Sequence, residues 1–371
     1  MRILFSSVPA HGHLLPLLPL ARAAARAGHQ VALLTHPGMH SAAPDLDLLP
    51  AGPDMATTLA DVTHRTTLDA LQDMARGATE FFVASRLNLG AEQALAAAEQ
   101  FRPDLVVADM VDFLGRLVAA ARGIPFAVHG SALPLAAPLA TAFEQAINDH
   151  FPGYGVKPTP PVAYLDPWPD SLLRPTDRFP VTRIPIRPEP HSVPGDSWHP
   201  PAFRGRGERP VVLVTMGTVV EDRDAVEFVV SSLTPLDVDI LVAPYSGYGL
   251  EERDLPDPQV HSAGFVPMKD LLAVSDLVVT TAGAGTVLST LSAGLPMVLL
   301  PMGLDKPINA ERVAARGAGL VVSRPGAAGA AVEQILAGSA PAAAAAAVAA
   351  EIAGMDSPDA VLTVLLRRLT S

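Results

Sequence analysis

The chain has no cysteine in 371 residues, which excludes disulfides and thiolate metal sites and fits a reducing compartment. Lysine is nearly absent as well. Only Lys157, Lys269 and Lys306 occur, against 38 acidic residues and a net charge of −12. So acidic a surface repels phosphate backbones and anionic lipid, so no nucleic acid and no stable membrane association are expected. A run of about 18 uncharged apolar residues is also missing, so no single spanning helix is expected. Met1–Phe5 is too short an apolar run for a signal peptide and reads as a first strand, which makes the cytoplasm the expected location. No Gly-Xaa-Gly-Xaa-Xaa-Gly turn follows that strand, which argues against a dinucleotide enzyme.

What is present is alternation. Arg2–Ser6 and Gln30–Thr35 are apolar β-type runs, and Leu14–Ala27 between them has helical spacing and stops at Gly28. That is a βαβ unit opening a parallel sheet. Strand patterns recur at Asp104–Ala108 and Pro125–Val128, with helical ones at Ala91–Gln100 and Leu114–Ala121. A second series runs from Val211–Met216 through strands at Val238–Ala243, Val260–Phe265, Leu277–Thr280, Pro296–Leu300 and Leu320–Ser323. Helical segments interleave at Asp224–Ser232 and Lys269–Ala273, and a further helix starts near Asn309. Ala342–Ala353 and Ala360–Leu369 close the chain as helices. From about 151 to 208 prolines crowd in, among them Pro152, Pro160, Pro161, Pro167 and Pro169. Proline lacks an N–H, so this stretch predicts an extended loop and interdomain linker without helices or central strands.

The expected fold class is therefore α/β, with two doubly wound domains facing a cleft. Residues 1–205 form an N-terminal domain ending in the proline-rich linker, 206–355 a C-terminal domain, and 356–371 a helix that can pack back on the first. Ligands of such sheets sit beyond the strand C-termini, so the loops there are the candidate sites. The loop after strand one holds Gly12 and His13. An imidazole there suits a base of near-neutral pKa, although spacing alone equally allows a helix cap. Asp109, ending the Asp104–Ala108 strand, is placed to orient that ring, and Asp112 is its rival. In the second half, Ala282-Gly283-Ala284-Gly285-Thr286 joins a strand to a helix with small residues, so a phosphate can approach backbone N–H groups. One strand further on, Asp305 stands beside Lys306. His36 and His40 lie four apart without a third ligand at metal spacing, and no metal is expected.

Residues 276–312 resemble the donor-binding signature of GT-B nucleotide-sugar glycosyltransferases (family 1), of the bacterial antibiotic and natural-product type. The family pattern V-V-x-H-G-G-x-G-T, then P-x-G-x-D-Q and N-A-x-R/E-V, is matched at Val278, Val279, Gly283, Gly285, Thr286, Pro301, Gly303, Asp305, Asn309, Ala310, Glu311, Arg312 and Val313. Thr281 stands in place of the usual histidine, Ala282 of a glycine and Lys306 of a glutamine. The segment around His13 resembles the family's G-H-x-x-P motif, Thr215–Thr218 its T-x-G-T turn, and Gly264–Pro267 its base-holding segment. The resemblance implies inverting transfer of a sugar, a deoxysugar by preference, from a nucleoside diphosphate to a small lipophilic acceptor. His13 would be the base and Asp109 its partner. Gly12, Gly217, Thr218, Val266, Thr281, Gly283, Gly285, Thr286, Asp305 and Lys306 would hold the donor. No cofactor is implied beyond the nucleotide sugar itself, and a homodimer is left open. Two alternatives remain open: an inactive homologue that binds nucleotide sugar or activates a partner, and a lipid-linked cell-wall glycosyltransferase.

Overall fold

The computed structural model describes residues 1–66, 74–192, 198–203, 209–217, 222–243, 257–264 and 266–369. The chain divides into two compact units. The first comprises Met1–Pro167, Arg174–Ile186 and Asp356–Ser371; the second comprises Trp168–Leu173 and Arg187–Met355.

The first unit is built on seven strands: β1 (Arg2–Ser6), β2 (Gln30–Thr35), β3 (Asp47–Pro50), β4 (Leu105–Asp109), β5 (Phe126–His129), β6 (Tyr164–Asp166) and β7 (Arg183–Pro185). All pair in parallel, in the order β3-β2-β1-β4-β5-β6-β7. Helices cover both faces, so the central strands are buried throughout and read as unbroken apolar runs. Successive side chains point to opposite faces. Leu4 and Val106 therefore join Phe113, Leu117 and Phe143 on one side. Ile3, Phe5 and Val107 join Leu18, Leu20 and Leu33 on the other. The helix Pro358–Arg368 belongs to that second face: Val361, Leu362 and Leu365 are buried in it, and Asp359 accepts from Arg26 at 2.9 Å.

The second unit repeats the plan with six parallel strands: β8 (Val211–Thr215), β9 (Asp239–Ala243), β10 (Val260–Ser262), β11 (Leu277–Thr280), β12 (Met297–Leu299) and β13 (Gly319–Val321). Their order is β10-β9-β8-β11-β12-β13. Among the described residues no single helix is long and apolar enough to cross a membrane. The helices Ala328–Leu336 and Ala340–Ala353 are apolar together, but they bend by 82° at their junction and bury Val332, Ile335, Val348 and Ile352.

Three expectations are corrected. The proline-rich stretch is not simply loop: β6 pairs with neighbours on both sides and β7 forms the sheet edge. Its ladder survives because Tyr164–Asp166 contains no proline and is only three residues long, between Pro161 and Pro167. The stretch also passes between units three times, since Trp168–Leu173 belongs to the second, Arg174–Ile186 to the first and the chain from Arg187 to the second again. The helix expected near Asn309 begins at Lys306 with Pro307 in its first turn, where a missing N–H is tolerated. Sequence periodicity did not reveal β3, the helices Met55–Arg65 and Ala137–His150, or the π-helical turn Glu80–Ser85.

Helix Phe113–Arg122 sits against β1 so closely that a Cβ on Gly115 would lie 2.5 Å from the Ser6 Cβ. Gly115→Ala should therefore destabilise the first unit by about 1–3 kcal/mol. Urea denaturation checks this; an unchanged midpoint would show that the contact can relax freely.

Candidate active site

In each sheet the strand order reverses beside its first strand, between β1 and β4 and again between β8 and β11. Connections leave these pairs in opposite directions, so a crevice opens beyond their C-terminal ends. The candidate residues collect at these two places.

At the first, β1 ends at Ser6, and the chain turns through Ala10, in extended conformation, into the short helix His11–Leu14. His13 thereby faces the end of β4. Its Nδ1 lies 3.2 and 3.1 Å from the two carboxylate oxygens of Asp109 and 3.0 Å from Ser131 Oγ. Asp109 is wholly buried as the last residue of β4, whereas the His13 side chain is 26% exposed. Burial pushes the Asp109 carboxyl up. The His13 ring and hydrogen bonds from His13, Ser131 and the Val111 N–H outweigh it and hold the group below the usual carboxylate range. An ionised carboxylate only accepts, so Nδ1 carries the ring proton and Nε2 is the basic nitrogen. Gly12, one residue earlier, has open space where a side chain would project.

Asp112 is excluded as the partner. It caps Phe113–Arg122 by accepting from the Gly115 N–H at 3.0 Å, pairs with buried Arg86 at 3.0 Å and accepts from the Ser6 hydroxyl. Two residues of this region were not foreseen. Ser131 touches the ring itself, and its position just beyond β5, the neighbour of β4, is the signal that could have found it. His129 lies opposite Asp109 in the β4–β5 register. Burial drives its pKa down to about 4, with Asp109 opposing, and its Nδ1 lies 2.9 Å from the Gly130 carbonyl.

At the second place, Thr280 is in register with Thr215. Met216 and Gly217 extend β8, and Thr281 to Gly283 extend β11. Thr281 is wholly buried and donates its hydroxyl to the Met216 carbonyl at 2.9 Å, tying the two strand ends together. Gly217 has φ 77°, a left-handed conformation natural to glycine, and its N–H lies 3.4 Å from Thr215 Oγ1. Ala282 adopts φ 68° despite its side chain. Gly283 then precedes helix Ala284–Ser292 in extended conformation, with no side-chain cap on the first turn. Added Cβ atoms at Gly283 and Gly285 would meet nothing within 4 Å, and Gly285 is exposed, as is needed where an anion approaches backbone. Thr286 is half-buried in the first turn, and Val266 is half-buried just before helix Met268–Leu272. Thr218 and Phe265 lie outside the described residues.

Beyond β12, Gly303 and Leu304 both take left-handed backbone and deliver Asp305 to the start of helix Lys306–Ala315. Lys306 is no solvated surface group. It is 6% exposed, and its Nζ donates to the Met302 carbonyl at 3.1 Å. Burial lowers its pKa, and Asp305 partly counters that. Asn309, which matches the family pattern but was assigned no role from sequence, donates Nδ2 to the Ala282 carbonyl at 3.0 Å and to Asp305 Oδ2 at 2.8 Å. Among the described residues no group of three His, Asp or Glu side chains has a metal-holding arrangement.

Paired doubly wound parallel sheets of this kind define a GT-B glycosyltransferase. The solved structure of the Streptomyces sp. SF2575 glycosyltransferase SsfS6, complexed with thymidine diphosphate, is similar at TM-score 0.83 and 26% identity, covering 99% of both chains. Residues 227–367 match the family "Erythromycin biosynthesis protein CIII-like, C-terminal domain". Elloramycin glycosyltransferase ElmGT of Streptomyces olivaceus is 30% identical over 348 residues, 88% of this chain and 87% of that one. L-demethylnoviosyl transferase of Streptomyces niveus is 29% identical over 339 residues, 86% of this chain and 84% of that one. The chain belongs to this family of antibiotic and natural-product glycosyltransferases.

Two expectations follow from the local geometry. Left-handed backbone costs an alanine about 1–2 kcal/mol, partly offset because glycine loses more freedom on folding. Ala282→Gly should therefore stabilise the second unit by about 0.5–1 kcal/mol in denaturant titration. His129 is neutral when folded but titrates near 6.5 when unfolded. The unfolded chain then binds the extra proton, so stability falls as pH drops from about 6.5 to about 4, by about 3 kcal/mol in all. His129→Gln should flatten that stretch of the stability profile, and an unaltered slope would exclude His129 as its origin.

Proposed function

We propose that this glycosyltransferase moves a sugar, preferentially a deoxysugar, from thymidine diphosphate to a hydroxyl of a small lipophilic natural product, with inversion. The observation that carries the proposal is the His13 imidazole, fixed through Nδ1 to buried Asp109. Nε2 takes the acceptor proton as the acceptor oxygen attacks the anomeric carbon from the face opposite the diphosphate. The bond from that carbon to the diphosphate oxygen breaks, and its electron pair leaves with the diphosphate. Asp109 stabilises the imidazolium that results. The first-turn N–H groups of Ala284–Ser292 and the helix dipole supply roughly half a positive charge for the leaving group, without a metal. Thymidine diphosphate bound in SsfS6 supports the nucleotide assignment.

The acceptor class rests on the surroundings of His13. The Phe82 ring lies 6.1 Å from the imidazole, and Phe81 meets Phe82 edge-on at 4.9 Å. Both sit on the π-helical turn Glu80–Ser85, and π-turns frequently mark functional sites. The sugar class rests on the loop around Asp305. With Lys306 in place of the glutamine of related sequences and turned to the Met302 carbonyl, no glutamine stands next to Asp305 to read the sugar with it, and exposed Leu304 and Ile308 flank it. A sugar poor in hydroxyls matches those surroundings. The acidic balance of the chain disfavours docking on an anionic membrane and favours diffusible substrates.

The purified chain alone should transfer sugar from a thymidine diphosphate donor. His13→Ala should lower the rate roughly 10²–10⁴-fold with thymidine diphosphate affinity unchanged. Nucleotide binding with no transfer to any lipophilic hydroxyl acceptor would instead mark a nucleotide-sugar-binding homologue, and transfer only to lipid-linked acceptors a cell-wall enzyme.

A further inference from the structure

We propose that Asn309 is a positioning residue that holds the two loops of the donor site in register, so that sugar and diphosphate are read as one ligand. The inference rests on the donor-site assignment above. The two loops leave different strands, Ala282–Gly283 after β11 and Gly303–Asp305 after β12. The Leu300 N–H to Thr280 carbonyl bond, at 2.8 Å, lies just short of both loops. Beyond it both backbones enter the left-handed region, with φ 68° at Ala282, 72° at Gly303 and 54° at Leu304. Such conformations persist in non-glycine residues only where the surroundings fix them. Asn309 supplies that constraint from the first turn of Lys306–Ala315. One amide nitrogen donates to the Ala282 carbonyl at 3.0 Å and to Asp305 Oδ2 at 2.8 Å.

Two further observations separate this role from packing. Asn309 is wholly buried, and its Oδ1 has no hydrogen-bond partner among the described residues. An orphaned buried acceptor carries a desolvation cost that a leucine of similar size would avoid, so the residue earns its place through Nδ2. The bond also occupies one oxygen of Asp305, so Oδ1 is left to accept from a sugar hydroxyl. Loss of Asn309 should therefore damage recognition of the sugar more than that of the nucleotide.

The titratable and charged groups around it are few. Asp305 and Lys306 precede it, and Glu311 and Arg312 share its helix. That helix packs on β13 and on Ala284–Ser292, neither of which contains a titratable residue, and residues 280–283 add none. A carboxylate at position 309 would thus meet Asp305 with Lys306 as the nearest cation in sequence.

Calorimetry with thymidine diphosphate and thymidine diphosphate rhamnose, at pH 8 and pH 5.5, tests the assignment. Asn309→Leu should bind thymidine diphosphate somewhat more weakly than the parent, because the Ala282 bond is lost, and the rhamnose conjugate roughly tenfold more weakly still, at either pH. Asn309→Asp should bind the conjugate poorly at pH 8, where two carboxylates oppose each other. It should recover at pH 5.5, where the pair shares a proton and one donor returns. Melting by circular dichroism identifies a variant that fails to fold; should Asn309→Leu do so, the recovery of Asn309→Asp decides. Equal losses for both nucleotides, no loss, or a pH-independent Asn309→Asp would overturn the role of Asn309 while leaving the donor site standing. A parent protein that binds neither nucleotide would remove the donor site and this inference together.

Discussion

Reversal of strand order beside the first strand of each sheet is the constraint on which the rest of this protein depends. Crossovers in parallel sheets are right-handed, so two successive strands placed on opposite sides of the first must send their connections over opposite faces. The ends of β1 and β4, and of β8 and β11, are left uncovered as a result. The candidate site residues lie in the loops beyond those ends and beyond the neighbouring strands β5 and β12. The buried apolar runs beneath do not take part in chemistry, but they fix the strands rigidly enough that a ring on one loop meets a carboxylate on another at hydrogen-bond distance.

Two carboxylates three residues apart show how surroundings divide labour. Asp112 is buried against Arg86, a permanent cation, and caps a helix, so its charge is fully committed to structure. Asp109 is buried against an imidazole that can gain and lose a proton. Inside a protein the attraction between such a pair is far stronger than in water, and so is the penalty for leaving either charge unpaired. Of the two, only the Asp109 pairing has a partner that can change its charge, which is why the proposed chemistry is assigned there and Asp112 is read as structural. Gly115 then matters indirectly, because its lack of a side chain lets the helix capped by Asp112 approach Ser6 at the end of β1.

On the proposed function, the second unit faces a different problem, holding a multiply charged ligand with few charges of its own. Lys306 is buried and turned to Met302, and the Ala282–Thr286 segment has no ionisable side chain. In that reading, recognition is left to backbone N–H groups, whose direction depends on left-handed turns at Gly217, Ala282 and Gly303. Such turns need fixing by neighbours, and the buried bonds of Thr281 to Met216 and of Asn309 to Ala282 and Asp305 provide it.

Much of this was legible in the sequence. Leu277–Thr280 falls where its apolar run predicts, and the helix Leu18–Arg26 stops just before Gly28 as its pattern predicts. His13 and Asp109 were visible because loops after parallel strands are few and their residue types distinctive. Local order depends on neighbours along the chain, so local pattern reveals it. The chain alone thus determined two strand–helix series, their class and the loops that matter. Tertiary structure alone decided that Asp109 rather than Asp112 meets His13, that Ser131 joins them, that Lys306 turns inward and that Asn309 spans two loops. It also drew β6 and β7 out of a proline-rich stretch that looked like linker. Those outcomes depend on residues tens to more than a hundred positions apart becoming neighbours, and on which of them lose their water. Neither quantity is written in any local pattern; both exist only once the sheets have assembled.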